Sequence, residues 1–338
     1  MKAGKLPHAL LAEMLGRLPK GDSRVIVGPG VGEDAAVVEV GERFLVVTSD
    51  PITFATDLIG WYAVQVNAND VAVMGADPKW FLGTLLLPLG ATEADIGLAF
   101  DQVVEVCRSL DITLIGGHTE VTPSVHRPVL IGCMLGETTR ERLTTSAGAA
   151  VGDAVVLSGC AAVEGTAILA RDAAGILAAR GIEEDSTARA QDFLMTPGIS
   201  VVRVARVASE IGVSAMHDPT EGGIATGLLE LALASEVGLE IDGDEIEIDP
   251  LTVRICDAVG IDPLGLIASG ALLATVVPEK VEDLLSALED EGRPARVIGR
   301  VVPKDEGLTL SSGGIRAALP VFERDEIARF FEEHTETD

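Results

Sequence analysis

Lysine is scarce in this chain, confined to Lys2, Lys5, Lys20, Lys79, Lys280 and Lys304, and acidic residues outnumber basic ones 53 to 25, a formal net charge of -28. Such a surface repels nucleic acid and anionic membranes at long range, so neither is expected as a partner. Cysteine is limited to Cys107, Cys133, Cys160 and Cys256, with no CxxC pair, which excludes a zinc cluster or a disulfide framework and leaves reduced core thiols. No stretch reaches the ~18 uninterrupted apolar residues of a membrane helix, and no apolar signal core follows the N-terminus, so a cytoplasmic protein is expected. There is also no GxxxxGK[ST] loop, no kinase lysine on a third strand, no GxSxG elbow and no HExxH, which removes the familiar nucleotide and hydrolase designs. What is plentiful is Ala, Val, Leu and Gly, over a length that suits two domains or one large one.

The chain is organised around Leu58 to Pro78. Ile59, Tyr62, Val66, Val73 and Met74 recur at helical spacing, Asp57 stands where a cap would, and Gly75 followed by Pro78 supplies a stop. The helix is apolar nearly all round, hence buried, yet Asn67 and Asp70 project from one side of it with Asn69 between them. A buried carboxylate needs a cation or a set of donors, although capping a neighbouring loop would also satisfy it.

Other acids fall at comparable places. Before this helix come an amphipathic segment, Pro7 to Leu18, with Leu10, Leu11, Met14, Leu15 and Leu18 on its inner side, and then a strand, Val25 to Val27. Lys5, in the arm ahead of that segment, is either simply solvated or the one cation that accompanies the acids. Gly28-Pro29-Gly30-Val31-Gly32-Glu33-Asp34 superficially suggests a dinucleotide fingerprint, but a second strand follows it where the fingerprint needs a helix. The turn therefore presents Glu33 and Asp34. A third strand, Arg43 to Val47, delivers Asp50 to the sheet edge, where ligands are commonly held. Trp80 to Leu87 returns as a strand, and Thr92 caps a helix with Ile96, Phe100, Val103, Val104 and Cys107 inward. The strand Ile112 to Ile115 then runs into Gly116-Gly117-His118-Thr119-Glu120, where paired glycines allow close approach of a ligand to backbone N–H groups, or simply make a tight turn. Pro128 to Leu135 completes a sheet of roughly five or six strands. The Thr-, Ala- and Gly-rich stretch Thr138 to Gly152 is the expected boundary, giving domains 1–150 and 151–338.

The second half opens with a strand, Asp153 to Ser158, a helix through Ala167 to Ala170, and an alanine-rich surface excursion, Ala173 to Arg189. Ala215-Met216-His217-Asp218-Pro219-Thr220-Glu221-Gly222-Gly223 repeats the earlier device: short strand, His and Asp, Thr, then paired glycines opening a helix, Ile224 to Ala234, whose start is an anion site by geometry. Ala271 to Val277, Lys280 to Leu288 and Arg296 to Val302 read as strand, helix and strand, and Phe322 to Phe331 as a last helix. Both halves are α/β or α+β. Asp34, Asp50, Asp70 and Asp218, gathered without cations, suit a hard divalent metal, and Mg²⁺ usually carries a phosphate chain with it, so Mg-nucleotide is the implied ligand.

Five motifs stand in one order: Gly32-Glu33-Asp34-Ala35-Ala36, Thr48-Ser49-Asp50, Asn69-Asp70 with Met74-Gly75-Ala76 and Pro78, Gly116-Gly117-His118-Thr119-Glu120, and His217-Asp218-Pro219-Thr220 with Gly222-Gly223. In order and spacing they resemble the aminoimidazole ribonucleotide synthetase superfamily, which also holds thiamine-monophosphate kinases, selenophosphate synthetases and the hydrogenase maturation protein HypE. The resemblance looks closest to HypE. It implies an N-terminal PurM-like α/β domain whose sheet pairs with a second subunit's to close a barrel, and a C-terminal PurM-like domain beside it. It also implies ATP held through Mg²⁺ by Asp34, Asp50 and Asp70, with Asn67, Asn69, Gly116, Gly117, Thr119, Glu120, Thr220, Gly222 and Gly223 around the nucleotide. His118, His217, Asp218 and Lys5 are then the expected catalytic residues, and the shared chemistry is transfer of the γ-phosphate to an amide, a carbonyl oxygen or a similar acceptor.

Three departures qualify the match. No cysteine follows Cys256, whereas HypE carries its carboxamide on a C-terminal cysteine; Glu221 stands where HypE-like sequences usually have arginine; and His118 replaces the acid of kinase relatives. The expectation is a homodimeric, ATP-dependent HypE-like enzyme whose acceptor, protein or small molecule, is not on its own tail. A small-molecule kinase or synthetase of the same superfamily, and a non-catalytic nucleotide-binding assembly partner, are the alternatives.

Overall fold

Val46, Thr48, Leu130, Gly132, Met134 and Gly136 are buried while their neighbours along the strands are half-buried, the period-two alternation of a sheet covered on one face. In the computed structural model, which describes residues 6, 8–19, 21–53 and 57–335, these belong to the first of two units. That unit comprises Gly21–Pro29 and Asp34–Leu143; the second comprises the described residues of Met1–Lys20, Gly30–Glu33 and Thr144–Asp338. The division is not a single cut near residue 150, because α1 (His8–Leu15) and the turn 30–33 join the second unit. The inward face expected of α1 is only partly realised: Leu10, Leu11 and Leu15 are half-buried, Met14 and Leu18 exposed.

The first unit holds β1 (Val25–Val27), β2 (Ala36–Val40), β3 (Arg43–Thr48), β4 (Pro51–Ile52), α2 (Ile59–Val73), β5 (Asp77–Leu87), α3 (Glu93–Ser109), β6 (Thr113–Val121) and β7 (Val129–Thr138). Its seven-stranded sheet runs β1-β2-β3-β7-β5-β6, with β4 added on β7. Only β5 and β6 are parallel; the other pairs are antiparallel. α2 packs on β7, β5 and β3 with α3 outside it, which is why it is apolar all round. The layers approach closely because the contact positions are glycines. A Cβ on Gly136 would lie 2.4 Å from Val71 Cγ1, one on Gly132 would lie 2.4 Å from Asn67 Nδ2, and one on Gly60 would lie 2.3 Å from the Ala99 carbonyl oxygen.

The ends of α2 differ from the sequence expectation. Leu58, not Asp57, is the cap residue; the orphan amide of Gly60 donates to Gln102 Oε1 of α3 (3.0 Å), while Gln102 Nε2 donates to the Asp57 carbonyl (2.8 Å). The helix stops at Val73 because Gly75 turns left-handed (φ 71°) and its carbonyl accepts from Thr138 Oγ1 at 2.6 Å; Pro78 already lies in β5. Thr92 does cap α3, in a reciprocal box with Asp95, but Phe100 faces solvent and Ala99 and Val106 take the inner positions with Val103 and Cys107.

The second unit adds β8 (Ala154–Ser158), α4 (Val163–Asp172), α5 (Ala174–Ala179), α6 (Glu184–Gln191), α7 (Val202–Ile211), β9 (Ala215–His217), α8 (Gly223–Ser235), β10 (Gly238–Asp242), α9 (Pro250–Val259), β11 (Leu272–Val276), α10 (Val281–Asp290), β12 (Ala295–Val302), β13 (Leu308–Ser312), β14 (Ile315–Ala318) and α11 (Glu326–Thr335). The sheet order is β14-β13-β10-β12-β8-β11-β9. Val155, Leu157, Ile224, Leu228, Leu231, Leu273 and Ile298 form its core between sheet and α8. The stretch 173–189 is not wholly a surface excursion: Leu177 and Thr187 are buried, and α6 packs on α4. The last helix starts at Glu326, not Phe322, because Asp325 caps it by accepting from the Ile327 amide at 2.7 Å.

Gly60→Ala should lower the melting temperature, because the added methyl meets a carbonyl that cannot withdraw, a cost of about 1–3 kcal/mol. Gly97→Ala, exposed on α3 with nothing near the new methyl, should hold or raise it by up to ~1 kcal/mol. Paired thermal melts read the difference, and equal effects would show that α2 and α3 are not in the contact described.

Candidate functional site

The first group of candidate residues is tied together by two neutral side chains. Thr48 Oγ1, at the end of β3, lies 3.0 Å from Asp70 Oδ2 and 3.2 Å from the Asp34 carbonyl oxygen. Asn67 brackets the peptide of Asp50: its Oδ1 accepts from the Asp50 amide at 2.9 Å, and its Nδ2 donates to the Asp50 carbonyl at 3.3 Å and to Ala63 O at 2.9 Å. The Asp50 carbonyl also accepts from the Gly132 amide at 2.9 Å. Asp34, Asp50 and Asp70 are thereby brought to one end of α2, Asp70 only 5% exposed. Asn67, fully buried, spends its amide on main chain and so holds Asp50; Asn69 is fully buried on the same helix. Asp50 does not end a strand, since β4 continues after it along β7.

Among the described residues, no three His, Cys, Asp or Glu side chains form a closed metal-ligating group.

The Gly116-Gly117-His118-Thr119-Glu120 run is neither a turn nor a strand end. It lies inside β6, and a Cβ on Gly117 would stand 2.1 Å from the Gly83 carbonyl oxygen of β5. Register places Gly116, His118 and Glu120 opposite Leu82, Thr84 and Leu86, which pair in turn with Cys133, Ile131 and Val129. Directly paired residues share a face, so His118 and Glu120 are on the face opposite α2, whereas Thr48 turns toward α2. His118 Nε2 and Glu120 Oε2 are 3.4 Å apart and both exposed. With β7 and β5 between β3 and β6, three strand spacings of about 4.8 Å separate this run from the acids. One chain therefore does not bring the two motifs together.

In the second unit His217 ends β9 at 4% exposure, followed by Asp218 at 2%. The turn beyond them is not an open anion site. The Gly222 amide donates to Asp325 Oδ2 at 2.6 Å, the Gly223 amide to Thr220 O at 3.0 Å, and Thr220 Oγ1 to Glu221 Oε2 at 3.1 Å. The glycines serve packing: at φ 81° and 63°, a Cβ on Gly222 would sit 2.2 Å from Thr226 Oγ1, and one on Gly223 2.5 Å from Leu264 O. Burial pushes Asp325 up to about 7 against the two amides that lower it, with Glu221 and Glu326 adding repulsion. Burial likewise pushes Glu164 of α4 up to about 7, helped by Glu221 and Asp325. Sequence reasoning missed Asp325, Glu164 and Glu230; the first alone had a signal, an Asp one residue ahead of an amphipathic helix. Lys5 lies outside the described residues.

Two family models cover the chain: residues 32–138 match the AIR synthase related protein N-terminal domain, and residues 150–310 the C-terminal domain. Carbamoyl dehydratase HypE of Rhizobium leguminosarum bv. viciae is 30% identical over 81% of this chain and 78% of its own length. The chain belongs to the AIR synthase-related family. A putative hydrogenase expression/formation protein of Methanocaldococcus jannaschii is 29% identical over 85% of both chains. The crystal structure of hydrogenase maturation protein HypE in complex with ATP superposes with a TM-score of 0.72 at 21% identity, covering 94% of this chain and 91% of that one. Both units thus have the two-domain, mixed-sheet fold of this family, and the sheet of the first is open in the single chain. Among the described residues no helix is long and apolar enough to cross a membrane.

Because Glu164 and Asp325 titrate higher when folded than when unfolded, the folded chain binds more protons between about pH 4 and 7. Stability should fall as pH rises through that window and level off above it. Glu164→Gln removes one contribution and should raise stability at pH 8 by on the order of 2–3 kcal/mol, with a smaller effect at pH 5. Calorimetry at the two pH values checks this; an equal gap at both would show that ionisation of Glu164 is not the cause.

Proposed function

We propose that this chain is an ATP-dependent enzyme of the HypE type, which activates an amide or carbonyl oxygen by phosphoryl transfer on an acceptor other than its own four cysteines. The observation that carries the reading is that Thr48 links the Asp70 carboxylate to the main chain of Asp34 while Asn67 clamps the main chain of Asp50, so that neutral groups hold the backbones of three acid-bearing segments near one end of α2. Mg²⁺ bound there would neutralise the phosphate chain of ATP. Asp34, Asp50 and Asp70 are the residues to hold it, Thr48 and Asn67 the groups that keep them in place.

The thiols are unsuited to carry a carbamoyl group. Burial pushes Cys107 up to about 11 and Cys256 up to about 12, and raises Cys133 and Cys160, so none is a thiolate near pH 7. The acceptor in this reading is therefore a group other than these four thiols.

The open sheet of the first unit supports a homodimer as part of this reading. Its face opposite α2 carries Val47, Leu82, Ile131, Cys133 and Leu135, apolar and half-buried, and its edge strand β6 exposes Ile115 and Val121. Pairing with a second copy covers that face and edge, and offers the His118–Glu120 pair a route to nucleotide that its own chain does not provide.

Calorimetry should show ATP binding with Mg²⁺ and little heat in excess EDTA. Asp70→Asn should weaken Mg-dependent binding at least tenfold while the apo melting temperature holds or rises, since a buried charge is removed and the shape kept. Equal affinity with and without metal would end the metal reading. Light scattering should give twice the mass of one chain for the wild type and a single-chain mass for Ile131→Lys, which puts a charge on the open face; a wild-type monomer would end the dimer reading.

A further inference from the structure

Two helices of the second unit open with matching patterns. Glu183 precedes α6, which then carries Asp185, Ser186 and Arg189; Asp249 caps α9, which then carries Pro250, Leu251 and Arg254. The arginines cross over. Arg189 Nη2 donates to Asp249 Oδ2 at 3.1 Å, and Arg254 Nη2 donates to Glu183 Oε2 at 2.7 Å, so the helices run antiparallel and each start holds the other helix's guanidinium. A cavity of about 300 Å³ is lined by Asp185, Ser186, Arg189, Pro250, Leu251 and Arg254. That is the size of a small-molecule site, with Leu251 and Pro250 as its apolar part.

Stability alone does not account for this arrangement, because both arginines are exposed and exposed ion pairs contribute little. Each pair engages only Nη2, which leaves Nε and Nη1 of two guanidiniums to meet a ligand, and a guanidinium fork matches the two oxygens of a carboxylate. Two arginines against one aspartate give the lining a positive balance in a chain of net charge -28. Asp185 and Ser186 set a second requirement. The Ser186 hydroxyl already donates to Glu183 Oε2 at 3.2 Å, and a carboxylate only accepts, so both residues present acceptors to the cavity. A ligand that is an anion throughout meets like charge at Asp185, whereas one with an ammonium group satisfies both sets.

We propose that this cavity binds a compact zwitterion of the α-amino-acid class, its carboxylate on Arg189 and Arg254, its ammonium toward Asp185 and Ser186, and its carbon skeleton on Leu251 and Pro250. The test is calorimetric titration of the full chain without nucleotide, using the common α-amino acids one at a time, with acetate and inorganic phosphate as anions that lack the amine. At least one amino acid should bind more tightly than either anion. Arg189→Gln, Arg254→Gln and Asp185→Asn should each weaken that binding by about tenfold, the loss of one charge-assisted contact. Arg203→Gln, on α7 outside the cavity, should leave it unchanged. The three cavity variants change exposed side chains, so the fold should survive; should one not fold, the other two decide. The proposal is overturned if no amino acid binds, if binding is the same in the cavity variants as in the wild type, or if phosphate or acetate binds as tightly as any amino acid. Failure to bind ATP, by contrast, would sink the proposed function and leave these titrations as they are.

Discussion

The hydroxyl of Thr48, set between Asp70 and the Asp34 carbonyl, is the contact on which the first unit depends. A carboxylate on a helix buried on every side is costly unless its surroundings are arranged for it. Here the arrangement fixes three chain segments at once: β3 through Thr48, the turn after β1 through Asp34, and the start of β4 through Asn67 and Asp50. The glycines of β7 let α2 come near enough for those bonds to form. Packing and candidate chemistry therefore share one set of contacts.

The second unit solves the opposite problem. Its glycine turn has the backbone form of an anion site, but the donor at Gly222 is occupied by the molecule's own Asp325. Glu164 and Glu221 surround that contact, and burial together with mutual repulsion brings two carboxyls to about 7. The turn is a structural joint between α8 and the segment leading into α11. His217 ends the preceding strand, with Asp218 just beyond it and Glu230 in contact with the histidine.

The two faces of the first sheet divide its labour. One is sealed by α2 and α3 and carries the acids; the other is apolar, open in the single chain, and carries His118 and Glu120 at its edge. An edge strand with glycines and exposed apolar residues is a standing invitation to pair with another chain.

The sequence by itself determined the class, the family and most elements, because these follow from local patterns: the all-apolar run with Asn67 and Asp70, the Gly75 stop, the Thr92 cap, and five motifs in fixed order. It also marked Asp34, Asp50 and Asp70, since an acid inside an apolar segment stands out without any structure. Only the tertiary structure decided where those residues point. Gln102, not Asp57, serves the start of α2 from another helix; the Gly116-Gly117 run lies within an edge strand facing away from the acids; the Gly222 amide is taken by Asp325, over a hundred residues later. Each of these turns on a contact between segments remote in sequence, or on the parity of a strand register, and neither leaves a mark in local composition.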